Sequence, residues 1–321
     1  MLDKYLIKFS RLRTDRGRNR YPFETNHYAP HKPFLLLSIM DLISQGLITS
    51  NFIEPSFELV DTWNAYWSAV MPIGQRSTMA HPFPRLKSDG FWHRVANPGY
   101  DSDKDYNVTS MAKCRKIYTG AKLDDKLFQY MCDPDSLEKL RAVLIQTYFH
   151  LQTQPIVMQQ GLVNTVSYEY AQTLVGKVAE QIGLFEELSE EKKKPVRDAG
   201  FRKAIVNLYD HRCAMCGIRM LTPEGHTVVE AAHVVPWRES HDDHPTNGMC
   251  LCRLCHWSFD EGLMSVGRDY ELLVSSRVRM DNNIPAHILP LADRKIFTPE
   301  ETRLWPSQDN LRKHYRTIYS E

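Results

Sequence analysis

The stretches HRCAMCG, residues 211–217, and TNGMCLCRLCHWSFD, residues 246–260, decide the fold of the second half of this chain. Each contains a Cys-x-x-Cys pair, Cys213 with Cys216 and Cys252 with Cys255. Two such pairs are typical of a closed tetrahedral zinc site with a structural role. Three further residues around the pairs are of the types that a metal-dependent phosphodiesterase needs: His233, Asn247 and His256.

The region between the two pairs contains VVEAAHVV, residues 228–235, an apolar run that predicts a strand ending near His233. The order of motifs is the first Cys-x-x-Cys, His-x-x-Pro, Asn-Gly at 247–248, and Leu-Cys-x-x-Cys-His at 251–256. This order resembles the HNH endonuclease family, the ββα-metal fold, in the variety that carries a four-cysteine zinc knuckle. The resemblance extends from about Phe201 to Val266 and implies an enzyme that cuts nucleic acid.

The resemblance implies a chemical role for each polar residue. His233 would be the general base, and His256, which the sequence places near the start of a helix, would be a metal ligand. Asp260 lies four residues after His256, on the same helix face, and is therefore a second candidate ligand. A carboxylate favours a hard ion, Mg²⁺ or Mn²⁺. Asn247 is expected to brace the loop between base and metal through backbone hydrogen bonds.

One position departs from the family pattern. Many members carry a His or Asp ligand immediately before the base, where this chain has Ala232. Glu230 is a further, less favoured, candidate ligand, and the metal affinity would be low without substrate. An alternative interpretation keeps the four cysteines as a structural knuckle in a DNA-binding module without catalysis. Cys250 is expected to be a small buried hydrophobic residue or, less favoured, a replacement for one of the four ligands.

Length and composition are those of an ordinary globular protein with more than one domain. The chain has 321 residues, 42% hydrophobic and 25% charged, with a net charge of +1. A surface that binds a polyanion such as DNA must therefore come from local clustering of basic residues. The odd number of cysteines, seven, does not suggest a disulfide framework and fits a reducing cytoplasm with a metal site. We expect no signal peptide and no membrane span.

The pattern of elements predicts an α+β protein. A mainly helical DNA-recognition domain is expected over residues 1–155, a helical bridge and charged linker over 156–200, and the nuclease domain over 201–321. Within the bridge, a helix is predicted from about Ser167 to Leu188. The linker prediction rests on the run EELSEEKKKPVRDAG, residues 186–200, which is charged and contains a proline.

An arginine-rich arm follows the first predicted helix. Glycine and proline in RLRTDRGRNRYPF predict a loop, and its arginines suit bidentate contacts with DNA phosphates. The alternative is a solvated segment without a partner. The arginines concerned are Arg11, Arg13, Arg16, Arg18 and Arg20.

The stretch from Ala29 to Val95 resembles, less specifically, the sulfur-binding domain of restriction enzymes that recognise phosphorothioate-modified DNA. The resemblance rests on His-Lys-Pro at 31–33 before a leucine-rich helix, and on the later stretch HPFPRLKSDGFW, residues 81–92. Carried over to this sequence, the sulfur pocket would comprise five residues: His31, Lys32, His81, Pro82 and Arg85.

Three of these residues differ from the family pattern. Lys32 stands where Arg is usual, His81 where Tyr is usual, and Arg85 where a small residue is expected. Lysine is a point charge and lacks the planar fork of arginine. A different modification, or unmodified duplex, therefore remains an alternative target.

The leading functional hypothesis is a restriction endonuclease for antiviral defence, with structural Zn²⁺ and catalytic Mg²⁺ or Mn²⁺. Cutting both strands of double-stranded DNA needs either two active sites, which predicts a homodimer, or sequential action on the two strands. A partner-activated HNH effector without modification dependence is one alternative. The zinc-stapled DNA-binding protein without catalysis is the other.

Overall fold

The computed structural model describes residues 1–176, 183–280 and 287–319. It divides into two compact units, one of Met1–Thr165 with Pro223–His226 and one of Val166–Thr222 with Thr227–Glu321. Helices and strands occur in both units, and the predicted α+β class is confirmed. None of the helices in the described ranges combines the length and the apolar character that crossing a bilayer requires.

The first unit is mainly helical, with one two-stranded antiparallel sheet in which Trp92 faces Leu123. Its elements are α1 (Leu2–Ser10), α2 (His31–Ser44), α3 (Phe57–Val70), α4 (Pro82–Arg85), β1 (Trp92–Ala96), α5 (Met111–Ile117), β2 (Tyr118–Leu123), α6 (Asp125–Cys132) and α7 (Pro134–Tyr148). The next helix, α8 (Gln154–Leu174), begins in this unit and ends in the second.

Helix α2 forms the centre of the first unit because it is apolar on all sides. Eleven of its fourteen residues are buried, from Lys32 to Leu42. The helix ends before Gly46, whose φ of +70° suits glycine. Helix α3 packs against α2, and its N-terminus is capped by the Ser56 hydroxyl, which accepts from the Leu59 N–H at 3.2 Å.

The second unit contains two short antiparallel sheets surrounded by helices. Its elements after α8 are α9 (Gly183–Glu186), α10 (Glu190–Leu208), β3 (Val229–His233), α11 (Trp237–Ser240), β4 (Gly248–Cys252), α12 (Arg253–Asp260), β5 (Met264–Val266), β6 (Leu272–Val274), α13 (Ser276–Met280) and α14 (Gln308–Thr317). Strand β3 pairs with β4, and β5 pairs with β6.

The structure differs from the sequence prediction at the charged run 186–200. Most of that run lies in α10, where two glutamates in the first turn favour the helix N-terminus. Pro195 lies in the second turn, so its missing N–H removes one hydrogen bond and does not end the helix. The domain border predicted at 155–156 falls inside α8, and that at 200–201 falls inside α10. Residues 177–182 of the helix predicted from Ser167 lie outside the described residues.

A buried histidine joins α14 to the rest of the second unit. His314 is 1% exposed, and its Nε2–H donates to the Phe259 carbonyl at 3.0 Å. The Nδ1 atom lies 3.0 Å from the Ser265 hydroxyl, and the ring stacks on Phe259. Burial lowers the pKa of His314 to about 4, so the ring is neutral at physiological pH.

This depressed pKa predicts a loss of stability in mild acid. The unfolded chain binds a proton at His314 near pH 6.5, whereas the folded chain does so only near pH 4. Between pH 7 and pH 5 this group should therefore cost about 2 kcal/mol of unfolding free energy. Urea unfolding at both pH values should show a smaller pH dependence for His314→Gln than for the wild type. Equal pH dependence in both proteins would contradict the assignment.

Candidate functional site

The candidate site is built on β3, β4 and α12. In the β3–β4 pair, His233 faces Gly248, and α12 begins at Arg253, directly after β4. Gly248 allows close packing, because a Cβ at this position would lie 2.5 Å from Cδ1 of the buried Ile205 on α10, which would have to shift. The Asn-Gly motif thus starts β4 at a place where the strand is pressed against α10.

The four cysteines of the two Cys-x-x-Cys pairs come together. Their sulfur atoms all lie within 4.8 Å of one another, and Sγ of Cys216 lies 3.7 Å from Sγ of Cys252. Tetrahedral Zn–S bonds of about 2.3 Å require sulfur atoms roughly 3.8 Å apart. The donor set and its spacing therefore fit a structural zinc ion.

Cys250 lies outside this cluster. It is fully buried on β4, opposite Ala231, and burial raises the pKa of its thiol to about 12. The geometry thus favours the expectation of a small buried hydrophobic residue.

His233 is held on two sides. Phe201 of α10 stacks on its imidazole with ring centroids 3.9 Å apart and an angle of 8°. Nε2 lies 2.8 Å from Oδ1 of Asp243, a buried carboxylate in the loop before β4. A carboxylate accepts hydrogen bonds, so Nε2 carries the proton and Nδ1 of the neutral ring is the basic nitrogen.

Asn247 is completely buried and braces the loop from 234 to 242. Its Oδ1 accepts from the Val235 N–H at 2.9 Å, and its Nδ2 donates to the carbonyls of Val235 and Asp242 at 3.1 and 2.9 Å. The Val234 N–H donates to the Asn247 carbonyl at 2.8 Å. These contacts agree with the geometric role expected for this residue.

His256 lies on α12 between two carboxylates. Its Nδ1 is 3.4 Å from Oε2 of Glu230 on β3, and its Nε2 is 3.5 Å from Oδ2 of Asp260. The two carboxylates therefore approach opposite nitrogens of the ring. One ion bound directly to His256 can share only one of these nitrogens, so Glu230 and Asp260 are alternative partners in this rotamer.

Asp260 and Glu230 differ in their surroundings. Partial burial raises the pKa of Asp260, an effect that the nearby His256 opposes. Glu230 is also paired with Arg253, at 3.1 Å. Ala232, at the position where the family usually has a metal ligand, is buried and has no side-chain atom that can bind a metal. The carboxylate without a competing arginine partner is thus that of Asp260.

A cavity of about 380 Å³ in the first unit contains all five residues of the predicted sulfur pocket. Burial lowers the pKa of His31 to about 4, and burial with the charge of Arg85 lowers the pKa of His81. Nε2 of His31 lies 2.8 Å from the Ser77 hydroxyl, and Trp67 packs on the ring. The walls therefore present neutral imidazole rings at physiological pH.

Lys32 is arranged differently from the expectation of a DNA contact. The ammonium donates to Asp89 Oδ2 at 2.6 Å, to the Ser88 hydroxyl at 2.8 Å and to the Arg13 carbonyl at 2.7 Å. All three donors are thereby used, and the side chain is buried. The exposed cations that line this cavity are instead Arg13 and Arg85, and Nη1 of Arg85 donates to the His81 carbonyl.

The arginine-rich arm is a loop, as predicted, and its five arginines are exposed. Arg20 is paired with Asp15, and the guanidinium of Arg16 lies over the ring of Tyr28. Arg13 lines the 380 Å³ cavity together with Arg85. The arm therefore borders the cavity with positive charge, and its contact with DNA remains a prediction.

Three residues around His233 were missed by sequence reasoning: Asp243, Tyr170 and Arg197. Asp243 is one of two consecutive aspartates in the stretch ESHDDHPTN, and nothing in that pattern marks it. Tyr170 lies on α8, and Arg197 lies in the segment predicted as linker.

Replacing Cys213 or Cys255 with serine should lower zinc content and the melting temperature together, because structural zinc contributes folding energy directly. We expect a loss of several kcal/mol of stability at saturating zinc. Metal content by mass spectrometry and thermal unfolding would measure this. Cys250→Ala is the matched control and should keep its zinc. Full zinc content in the serine variants would contradict the ligand assignment.

A family model matches the part of the chain that contains the candidate site. Residues 213–267 match the family model described as HNH endonuclease. A solved structure described as a modification-dependent TagI restriction endonuclease is similar, with 24% identity and a TM-score of 0.30. The match covers 39% of this chain and 40% of that one, so the chain spans less than half of that relative. No curated protein matches. Residues 213–267 therefore carry an HNH endonuclease domain.

Proposed function

We propose that this chain is a restriction endonuclease that hydrolyses double-stranded DNA and is directed to its target by the N-terminal cavity. The observation that carries the proposal is the pairing of His233 with Asp243. It leaves one basic nitrogen on an imidazole at the end of β3, as a general base requires. A structural zinc knuckle does not need a histidine paired with a buried aspartate. The His233–Asp243 pair therefore argues against a DNA-binding module without catalysis.

In the proposed reaction, Nδ1 of His233 takes a proton from the attacking water. The bond from Nε2–H to Asp243 then stabilises the imidazolium that forms. Asn247 keeps the loop that follows His233 in place, so that the base does not move during proton transfer. When bound, a divalent ion held by His256 and Asp260 would supply Lewis-acid stabilisation of the scissile phosphate and the leaving oxygen.

The cavity suits a soft, poorly hydrated group. Its walls include two neutral imidazoles and Pro82, with Arg13 and Arg85 also lining it. A phosphorothioate offers a polarisable sulfur together with a negative charge, which fits apolar walls beside a guanidinium. We therefore propose phosphorothioate-modified DNA as the target. In this proposal the guanidinium of Arg85 binds the modified phosphate. Lys32, at the position of the family's usual cation, does not, because its ammonium already donates to Arg13, Ser88 and Asp89.

Two active sites in one complex would let both strands be cleaved together, and we propose a homodimer that acts on incoming DNA in the cytoplasm. Base recognition would then reside in the first unit, while the nuclease contacts phosphates.

The test is cleavage of one plasmid, prepared with and without phosphorothioate, in Mg²⁺ or Mn²⁺. We expect cutting of the modified form only, and its loss in His233→Ala. His241→Ala is the control, since His241 is an exposed imidazole in the same unit. Arg85→Ala should weaken binding of modified DNA by about tenfold or more, the loss of one charge-assisted hydrogen bond. Equal cutting of both forms would reject the target, and cutting by His233→Ala would reject the catalytic site.

Measuring metal affinity distinguishes between Asp260 and Glu230 as the carboxylate that binds the ion together with His256. We expect Asp260→Asn to weaken Mn²⁺ affinity by about tenfold or more, whereas Glu230→Gln changes it by less, because Glu230 is paired with Arg253. Titration of the full chain with Mn²⁺, followed by electron paramagnetic resonance, measures this without any cleavage. The larger loss in Glu230→Gln would move the site to the β3 side of His256.

A further inference from the structure

The loop before β4 carries a buried carboxylate that the nuclease motifs do not include. The side chain of Asp243 is 4% exposed. Isolated buried charges are strongly unfavourable, so such a group persists only where partners surround it. Each of its two oxygens has partners in the second unit.

The two oxygens of Asp243 serve different neighbours. Oδ1 faces Nε2 of His233 at 2.8 Å. Oδ2 accepts from the hydroxyl of Tyr170 at 3.0 Å and lies 3.4 Å from Nε of Arg197. Burial and the Asp243 charge raise the pKa of Tyr170, so the phenol keeps its proton and acts as donor.

The partners of Asp243 are themselves fixed. Arg197 projects from α10, and its guanidinium stacks on Trp237 at 3.5 Å from the ring centre. Tyr170 belongs to α8, and its ring packs on Phe185. The Asn247 amide donates to the carbonyl of Asp242, the residue before Asp243. The carboxylate is therefore anchored through the loop backbone and through two helices.

This anchoring fixes the state of His233. Since Oδ1 can only accept, the proton of the neutral imidazole stays on Nε2. Phe201 stacks on the ring face and limits its rotation. Together these contacts leave Nδ1 as the basic nitrogen and hold its direction. Without the carboxylate, the tautomer of His233 with its proton on Nδ1 would also be populated. In that tautomer Nδ1 cannot accept a proton from water.

We propose that Asp243 is a positioning residue that fixes the tautomer and orientation of His233, and that Tyr170 holds Asp243 in place. This inference rests on the proposed role of His233 as general base. A purely structural role, in which Asp243 only neutralises Arg197, makes a different prediction, because it would not affect the protonated nitrogen of His233.

The test compares the full-length zinc-loaded chain with Asp243→Asn, Tyr170→Phe and the control Asp242→Asn. Asp242 is the adjacent residue, loses the same charge, and its Oδ1 accepts a backbone bond that asparagine can also accept. For Asp243→Asn we expect kcat to fall by about 10²-fold or more, towards the roughly 10⁴-fold loss that follows replacement of the aspartate in a Ser-His-Asp triad, with KM changed by less than about threefold. Tyr170→Phe should lower kcat by about tenfold, and Asp242→Asn should resemble the wild type.

A readout that needs no cleavage accompanies the kinetics. Proton–nitrogen correlation spectra of ¹⁵N-histidine-labelled protein should show His233 with its proton on Nε2 in the wild type and in Asp242→Asn. Both tautomers should appear in Asp243→Asn. Should Asp243→Asn fail to fold, Tyr170→Phe carries the same comparison, with a partial tautomer shift.

Unchanged kcat and an unchanged tautomer in folded Asp243→Asn would overturn the inference. Parallel losses of kcat and melting temperature with the Nε2–H tautomer retained would also overturn it, in favour of a structural role. Cleavage that survives His233→Ala would instead reject the proposed function. Loss of cleavage in His233→Ala beside normal kcat in Asp243→Asn would reject this inference alone.

Discussion

The geometry of the nuclease site depends on the convergence of four cysteine sulfur atoms beside the junction of β4 and α12. Cys252 ends the strand, Cys255 lies in the first turn of the helix, and His256 is the next residue. A metal ion shared with Cys213 and Cys216 would fix this strand-to-helix turn, because structural metal sites contribute folding energy directly. His256 follows Cys255 in sequence, so a metal bound to the four cysteines would also limit the positions that the His256 side chain can reach.

A second constraint acts on the opposite side of the site, where polar groups are buried. The side chain of Asn247 uses its acceptor and both donor positions on the loop that follows β3. Because an unsatisfied buried amide costs about 1–3 kcal/mol, the loop has few alternatives to this path. The same loop carries Asp243 to Nε2 of His233. The two sides of the site are thus stabilised by different means, sulfur ligands near His256 and hydrogen bonds near His233.

Local pattern was sufficient to place the candidate residues on their strand and helix but not to identify the groups that contact them. The Cys-x-x-Cys pairs, the strand before His233 and the helix that bears His256 all follow from spacing and periodicity within a few residues. Asp243 and Tyr170 are 73 positions apart, and their contact arises only when α8 packs on the loop. Arg197 was assigned to a linker because charge and proline suggested one, although Val196 and Phe201 bury one face of α10. Tertiary packing outweighed local composition there.

The N-terminal cavity illustrates the same difference between residue type and environment. Its five predicted residues do lie together, yet the resemblance assigned the positive charge to Lys32, which is buried against Asp89. The sequence does not reveal that all three N–H groups of the Lys32 ammonium are hydrogen-bonded, because Asp89 and Ser88 lie more than fifty residues further along the chain. The ammonium of Lys32, whose hydrogen bonds are all made within the protein, stabilises the wall of the cavity. The exposed guanidinium of Arg85 can bind a phosphate at a low desolvation cost. Selectivity at this cavity should therefore arise from neutral rings and Arg85, with Lys32 maintaining the shape in which they act.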